Sequence, residues 1–252
     1  MQRIRDLRLI DDDFMTKCFE DSPECTELVL HIVLDKPDLK VQEVKVQYTI
    51  KNLQGRSVRL DIFATDGCGK KYNIEIQRAD KGAGRKRARY NSSLLDANML
   101  LAGADTEQLP ETYVIFITEK DTIGKNKPLY HIERVIAETG ESFGDASHII
   151  YVNGAYKDES PLGLLMKDFF CTNPADMHYK ELADRTRYFK EDREGVATMC
   201  KAMEDMITEN KKEIAVSFIK EGSLSLEKIA SCVGITIEEI KKLARETDTG
   251  QI

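Results

Sequence analysis

Apolar and polar positions alternate with two different periods along this chain, and each change of period marks an element. Between about Ile10 and Leu34, Phe14, Cys18, Leu28 and Ile32 recur at helical spacing, which predicts one helix or two broken near Ser22-Pro23. From Val41 the period falls to two. Val44, Val46, Tyr48 and Ile50 alternate with Lys45, Gln47 and Thr49, the pattern of a half-buried strand. Asn52-Leu53-Gln54-Gly55 predicts a turn, then Leu60, Ile62 and Ala64 alternate with Arg59, Asp61 and Phe63. Asp66-Gly67-Cys68-Gly69 predicts a second turn, and Tyr72, Ile74 and Ile76 alternate with Asn73, Glu75 and Gln77. A three-stranded meander results.

Helical spacing returns from about Gly84 to Leu101, with Tyr90, Leu94, Ala97 and Leu101 as the expected buried stripe and Gly103 as a cap. Thr112 to Thr118 is a continuous apolar run of strand length, as expected of a central strand covered on both faces. Shorter strands are expected near Tyr130-His131-Ile132 and from His148 to Val152, and the pattern is helical beyond Ser160. This order predicts an α/β core over residues 1–158 and a helical extension over 159–252.

The second hairpin has one register that leaves a wholly apolar face: Leu60 opposite Ile76, Ile62 opposite Ile74 and Ala64 opposite Tyr72. The other face then sets Arg59 against Gln77, Asp61 against Glu75 and Phe63 against Asn73. Directly opposed side chains have Cβ atoms about 4.5–5.5 Å apart, and like charges there repel. A divalent cation between Asp61 and Glu75 would remove the repulsion, and hard oxygen ligands favour Mg²⁺ or Mn²⁺. Pairing alone leaves a second reading equally open, in which the face is solvated and the two carboxylates tolerate each other.

Composition adds limits. No apolar run approaches the ~18 residues of a membrane span, and the first residues lack the apolar stretch of a secretory signal. The six cysteines form no C-x-x-C pair, against a disulfide framework or zinc site and for a reducing compartment. A cytoplasmic location is expected. The net charge of -7 does not advertise a polyanion partner, yet basic residues cluster from Arg78 to Arg89, and local patches matter more than the total. His31, His131, His148 and His178 are dispersed and read as structural.

The stretch L-D-I-F-A-T-D-G-C-G-K-K-Y-N-I-E-I-Q, followed by R-K-R-A-R-Y, resembles the recombination-promoting nuclease and transposase branch of the PD-(D/E)XK nucleases. The resemblance spans about residues 1–190 and implies a restriction-endonuclease-like αβββαβ core. It implies a magnesium-dependent endodeoxyribonuclease, a hydrolase of DNA phosphodiester bonds in a transposition or recombination setting. Asp61 and Glu75 would be metal ligands, joined by the backbone carbonyl of Ile76. Gln77 stands where the superfamily has lysine, and an amide supplies no positive charge. A replacement cation is sought on the next helix, where Arg85 and Arg89 share a face, Arg87 points elsewhere, and Arg89 adjoins Tyr90. Arg89 is the catalytic candidate, and Arg85, Arg87 and Arg89 together are expected to contact DNA phosphates. The superfamily also often draws a Glu from the first helix; Glu20, Glu24 and Glu27 are all available.

The tail carries another pattern. Ala230, Gly234 and Ile240 have the spacing of a helix-turn-helix over residues 223–246, with Thr236 and Glu239 as a capping box. Its second helix offers Lys241, Lys242 and Arg245 beside Glu238 and Glu239, so a packed helical hairpin is an equal reading. DNA is the expected partner and a membrane is not; self-association into a homo-oligomer stays open. The rival to the enzyme is a catalytically silent relative that binds DNA or protein through this tail.

Overall fold

The computed structural model of the protein describes residues 2–52, 55–78 and 83–248. The first predicted turn therefore includes two positions, 53 and 54, outside the described residues, and the basic stretch has four, 79–82. Two compact units emerge, Met1–Val196 and Ala197–Ile252.

The first unit is an α/β fold around a six-stranded sheet. After a short helix α1 (Gln2–Arg5), the predicted N-terminal helix is two: α2 (Asp12–Phe19) and α3 (Pro23–Leu34). Asp12 and Asp13 occupy the first turn of α2, where the helix dipole favours negative charge. Pro23 opens α3, where its missing N–H costs nothing, and Asp35 ends it in a left-handed conformation. The strands are β1 (Val41–Ile50), β2 (Val58–Asp66), β3 (Lys71–Gln77), β4 (Thr112–Thr118), β5 (Leu129–Ile132) and β6 (Ser147–Asn153), in the order β1-β2-β3-β4-β6-β5. β1, β2 and β3 form the antiparallel meander, and β4 joins β3 in parallel after the crossover helix α4 (Arg85–Met99). Every residue of β4 is buried, as its unbroken apolar run requires.

α4 covers one face, packing Ala88, Leu94 and Leu95 over Leu60, Phe63, Val114, Phe116 and Tyr151. Its buried stripe is therefore not the expected one: Leu94 is inside, but Tyr90 is exposed, Ala97 is exposed and Leu101 lies beyond the helix at 82% exposure. Apolar residues alone do not locate the stripe, because Asn91 and Ser92, both polar, occupy buried positions. Gly103 sits in a turn after the helix end with φ 83° and does not cap it.

α2 and α3 pack against β1 and β2, and α5 (Pro161–Phe170) and α6 (Lys180–Glu191) pack in turn on α2 and α3. The Ile10 amide donates to the Phe169 carbonyl at 3.1 Å, and Arg185 donates to the carbonyls of Lys17, Cys18 and Glu20 at the end of α2. These contacts carry the first unit beyond residue 158, the expected end of the core, to Val196.

In the second unit the later part of α7 (Arg193–Glu221) packs with α8 (Leu226–Val233) and α9 (Ile237–Asp248) around Ala215, Ile229, Ile240 and Leu243. Ser225 accepts the Lys228 amide, Gly234 turns the chain with φ 70°, and Thr236 accepts the Glu239 amide at 3.3 Å. Among the described residues no helix is long and apolar enough to cross a membrane.

Candidate active site

The hairpin register follows burial up to one residue and then breaks. Ile62 pairs with Ile74, Phe63 with Asn73 and Ala64 with Tyr72, as the apolar pattern dictates. The expected pairs Leu60–Ile76, Asp61–Glu75 and Arg59–Gln77 do not continue the ladder. The Ile76 N–H, which would close the next pair with Leu60, instead donates to Asp61 Oδ2 at 2.8 Å. Alternation also breaks there, since Leu60 joins Phe63 under α4 rather than lying on the face of Ile62 and Ala64. On the far side of β2, the pairs Val46–Ile62 and Tyr48–Leu60 flank a position where Gln47 has φ 50°. Asp61 thus leaves the regular sheet at a distortion shared by two strands, and its carboxylate takes over a backbone bond.

Asp61 is 8% exposed and Glu75 is fully buried, so the solvated-face reading is excluded. Burial pushes the Asp61 carboxyl up to about 7, helped by the charge of Glu75 and opposed by the Ile76 amide. Burial likewise raises Glu75, with the Arg87 guanidinium opposing it. Glu75 Oε2 accepts from Arg87 Nη2 at 2.6 Å, while Glu75 Oε1 is buried without a hydrogen-bond partner. Arg87 Nη1 also donates to Gln77 Oε1 at 3.3 Å, and the guanidinium lies 5.9 Å from the Phe116 ring centre.

The three carriers of this geometry are β2, β3 and α4, and they open on a cleft of about 1040 Å³. Asp61 and Gln77 line it with Asp12, Arg56, Arg59, Lys86, Arg87, Arg89 and Tyr90. Of the expected arginines, Arg87 does not point elsewhere: it is the one against Glu75 and Gln77. Arg89 is an exposed wall residue of the cleft, and Arg85 is exposed near the start of α4, outside the cleft lining. Arg87 is among the arginines expected at phosphate, but i, i+4 spacing favours the Arg85–Arg89 pair over its meeting with Glu75, whereas Arg87 is adjacent to Ala88, the first buried residue of the helix. Tyr90 accepts from Asn52 and donates to the Arg56 carbonyl, tying α4 to the end of the β1–β2 hairpin.

None of the three first-helix glutamates lines the cleft. Glu20 pairs with Lys17, Glu24 accepts from Ser22, and Glu27 accepts from Lys40 and the Val41 amide. The acidic side chain that α2 supplies is Asp12, whose charge also raises Asp61. The run Asp11-Asp12-Asp13 was its available sign in the sequence.

Among the described residues no group of three or more His, Cys, Asp or Glu side chains is set to hold a metal ion. The donor chemistry nevertheless fits a hard cation. Two buried carboxylates repel each other, and one oxygen of Glu75 has no partner. The Ile76 carbonyl, on the same side of its strand as the N–H that reaches Asp61, adds a neutral oxygen.

A family model described as PD-(D/E)XK nuclease family transposase matches residues 26–156, just over half of the 252-residue chain. The match contains Asp61, Glu75, Gln77, Arg87 and all six strands, and it begins after Asp12. No curated protein and no solved structure matches the chain.

Proposed function

The chain belongs to the PD-(D/E)XK nuclease family transposases, and from that premise we propose that it is a divalent-metal-dependent DNA endonuclease with its active site at Asp61 and Glu75. One observation carries this reading: two mutually repelling carboxylates from adjacent strands are buried beside a cleft rich in arginine, and one of their oxygens lacks a partner. Folding alone gives no reason to keep such a pair.

Asp61, Glu75 and the Ile76 carbonyl would hold Mg²⁺ or Mn²⁺, with Asp12 as a further carboxylate at the cleft. A bound cation of this kind lowers the pKa of a water and offsets charge on a phosphate. The remaining work falls to the chain's own residues. Arg56, Arg59, Lys86 and Arg89 draw the phosphodiester backbone into the cleft, where guanidinium forks fit phosphate oxygens. Gln77 accepts from Arg87 at 3.3 Å, which leaves its amide nitrogen to orient a water or phosphate oxygen. Arg87 supplies the positive charge that Gln77 lacks, from a helix rather than from the strand.

The rival reading, a silent relative that binds DNA or protein, draws on one fact: Arg87 already neutralises Glu75. Thermal unfolding with and without Mn²⁺ separates the two. A ligand that binds only the folded state at 100 times its Kd adds about 2.7 kcal/mol, which for a unit of this size raises Tm by roughly 5–10 °C. Wild type is expected to show that rise and Asp61→Ala to lose it. No rise in wild type would support the silent binder, and an undiminished rise in Asp61→Ala would remove Asp61 from the site.

A further inference from the structure

Gln47 is a non-glycine residue with φ 50° in the middle of β1, a conformation that belongs in turns and is uncommon in strands. It sits across from Asp61, in the one gap between the pairs Val46–Ile62 and Tyr48–Leu60. Its side chain reaches in the direction of α2. Nε2 donates to Asp12 Oδ1 at 3.1 Å and to Thr16 Oγ1 at 3.1 Å, while Oε1 is buried without a hydrogen-bond partner. Asp12 and Asp61 line the same cleft. A residue that departs from strand geometry opposite a functional carboxylate, and bonds a second one, has a reason for its departure.

We propose that Gln47 is the positioning residue of the acidic site: its left-handed backbone opens the β1–β2 ladder so that Asp61 can turn toward the Ile76 amide, and its carboxamide holds Asp12 of α2 at the same cleft. The inference rests on the reading of Asp61 and Glu75 as a metal-dependent phosphodiester site. Gln47 itself touches neither the metal ligands of β3 nor the reacting phosphate. It acts through Asp12 and Asp61.

Two variants remove the hold on Asp12 while keeping the left-handed backbone. Gln47→Asn tolerates left-handed backbone but is one methylene too short to reach Asp12, and Gln47→Gly keeps the backbone freedom while removing the side chain. Both are expected to fold, shown by unchanged circular dichroism. Mn²⁺ binding to the protein alone, by calorimetry, should weaken about 10- to 100-fold, the usual effect of removing a partner that orients a ligand. Single-turnover nicking of a supercoiled plasmid should slow to a similar degree, while plasmid affinity in EDTA stays at the wild-type value. Asp12→Asn should produce the same loss, and combining it with Gln47→Asn should add nothing further.

Wild-type Mn²⁺ affinity and nicking rate in both variants would overturn the carboxamide's hold on Asp12, and wild-type values in a folded Gln47→Val, whose branched side chain disfavours left-handed backbone, would overturn the backbone's part; either result leaves the nuclease reading intact. Fully additive losses with Asp12→Asn would overturn the tether. A wild-type protein that neither binds Mn²⁺ nor nicks would overturn the nuclease reading itself, and the positioning role with it.

Discussion

At the scale of single residues, the site turns on where charge is placed in a buried setting. Arg87 is the only arginine whose guanidinium meets both Glu75 and Gln77 among the described residues, and it does so from a half-exposed position on α4. Removing a preorganised electrostatic donor costs about 10²–10³ in rate. Arg87→Ala should therefore lower single-turnover cleavage by that order, whereas Arg89→Ala should mainly weaken DNA affinity and flatten its salt dependence. Equal rate losses in the two variants would return Arg89 to the catalytic role that its neighbour Tyr90 suggested. The carboxylates add a pH dependence. Both are raised above their unfolded values, Asp61 to about 7, so from about 4 up through the Asp61 titration the folded state binds more protons than the unfolded state. Stability of the metal-free protein should thus fall as pH rises through that window, with the Asp61 penalty fully present above it. Asp61→Asn should flatten the fall, as denaturant midpoints across pH 4 to 8 would reveal, and an equal slope in the variant would mean that other groups titrate.

At the scale of elements, the sequence made the strands legible because burial fixes alternation. Val44, Val46, Tyr48 and Ile50, then the pairs Ile62–Ile74 and Ala64–Tyr72, left little choice of register. What stayed illegible is the defect at Gln47 and Asp61. Nothing in the order of side chains marks a left-handed residue unless it is Gly, Asn or Asp, and a carboxylate replacing a carbonyl in a ladder is a tertiary event. Arg87 and Asp12 were hidden for a related reason: both act across elements, while spacing rules compare residues on one element. The tail was legible as helices and turn, because Gly234, with no Cβ, takes left-handed backbone readily and Thr236 caps α9 through its hydroxyl. Its use was not. α9 exposes Lys241, Lys242 and Arg245, so changing all three to Ala should weaken plasmid binding and make its salt dependence shallower. Unchanged affinity and slope, measured by titration at several salt concentrations, would give α8 and α9 a packing role instead.

At the scale of the whole molecule, a chain of net charge -7 gathers Arg56, Arg59, Lys86, Arg87 and Arg89 around one cleft, so its local charge runs against its total. The family match ends at residue 156, whereas the first unit runs to Val196 because α5 and α6 hold α2 and α3 in place. Those helices therefore support Asp12 indirectly, and the second unit lies outside the family match. Whether Asp61 and Glu75 form a metal-dependent phosphodiester site is decided by nicking of supercoiled plasmid under single-turnover conditions with Mg²⁺, Mn²⁺ or EDTA. Wild type should nick in either metal and not in EDTA, and Glu75→Gln, which keeps the shape but not the charge, should be at least about 10²-fold slower. Wild type inert in both metals, or Glu75→Gln cutting at the wild-type rate, would contradict such a site.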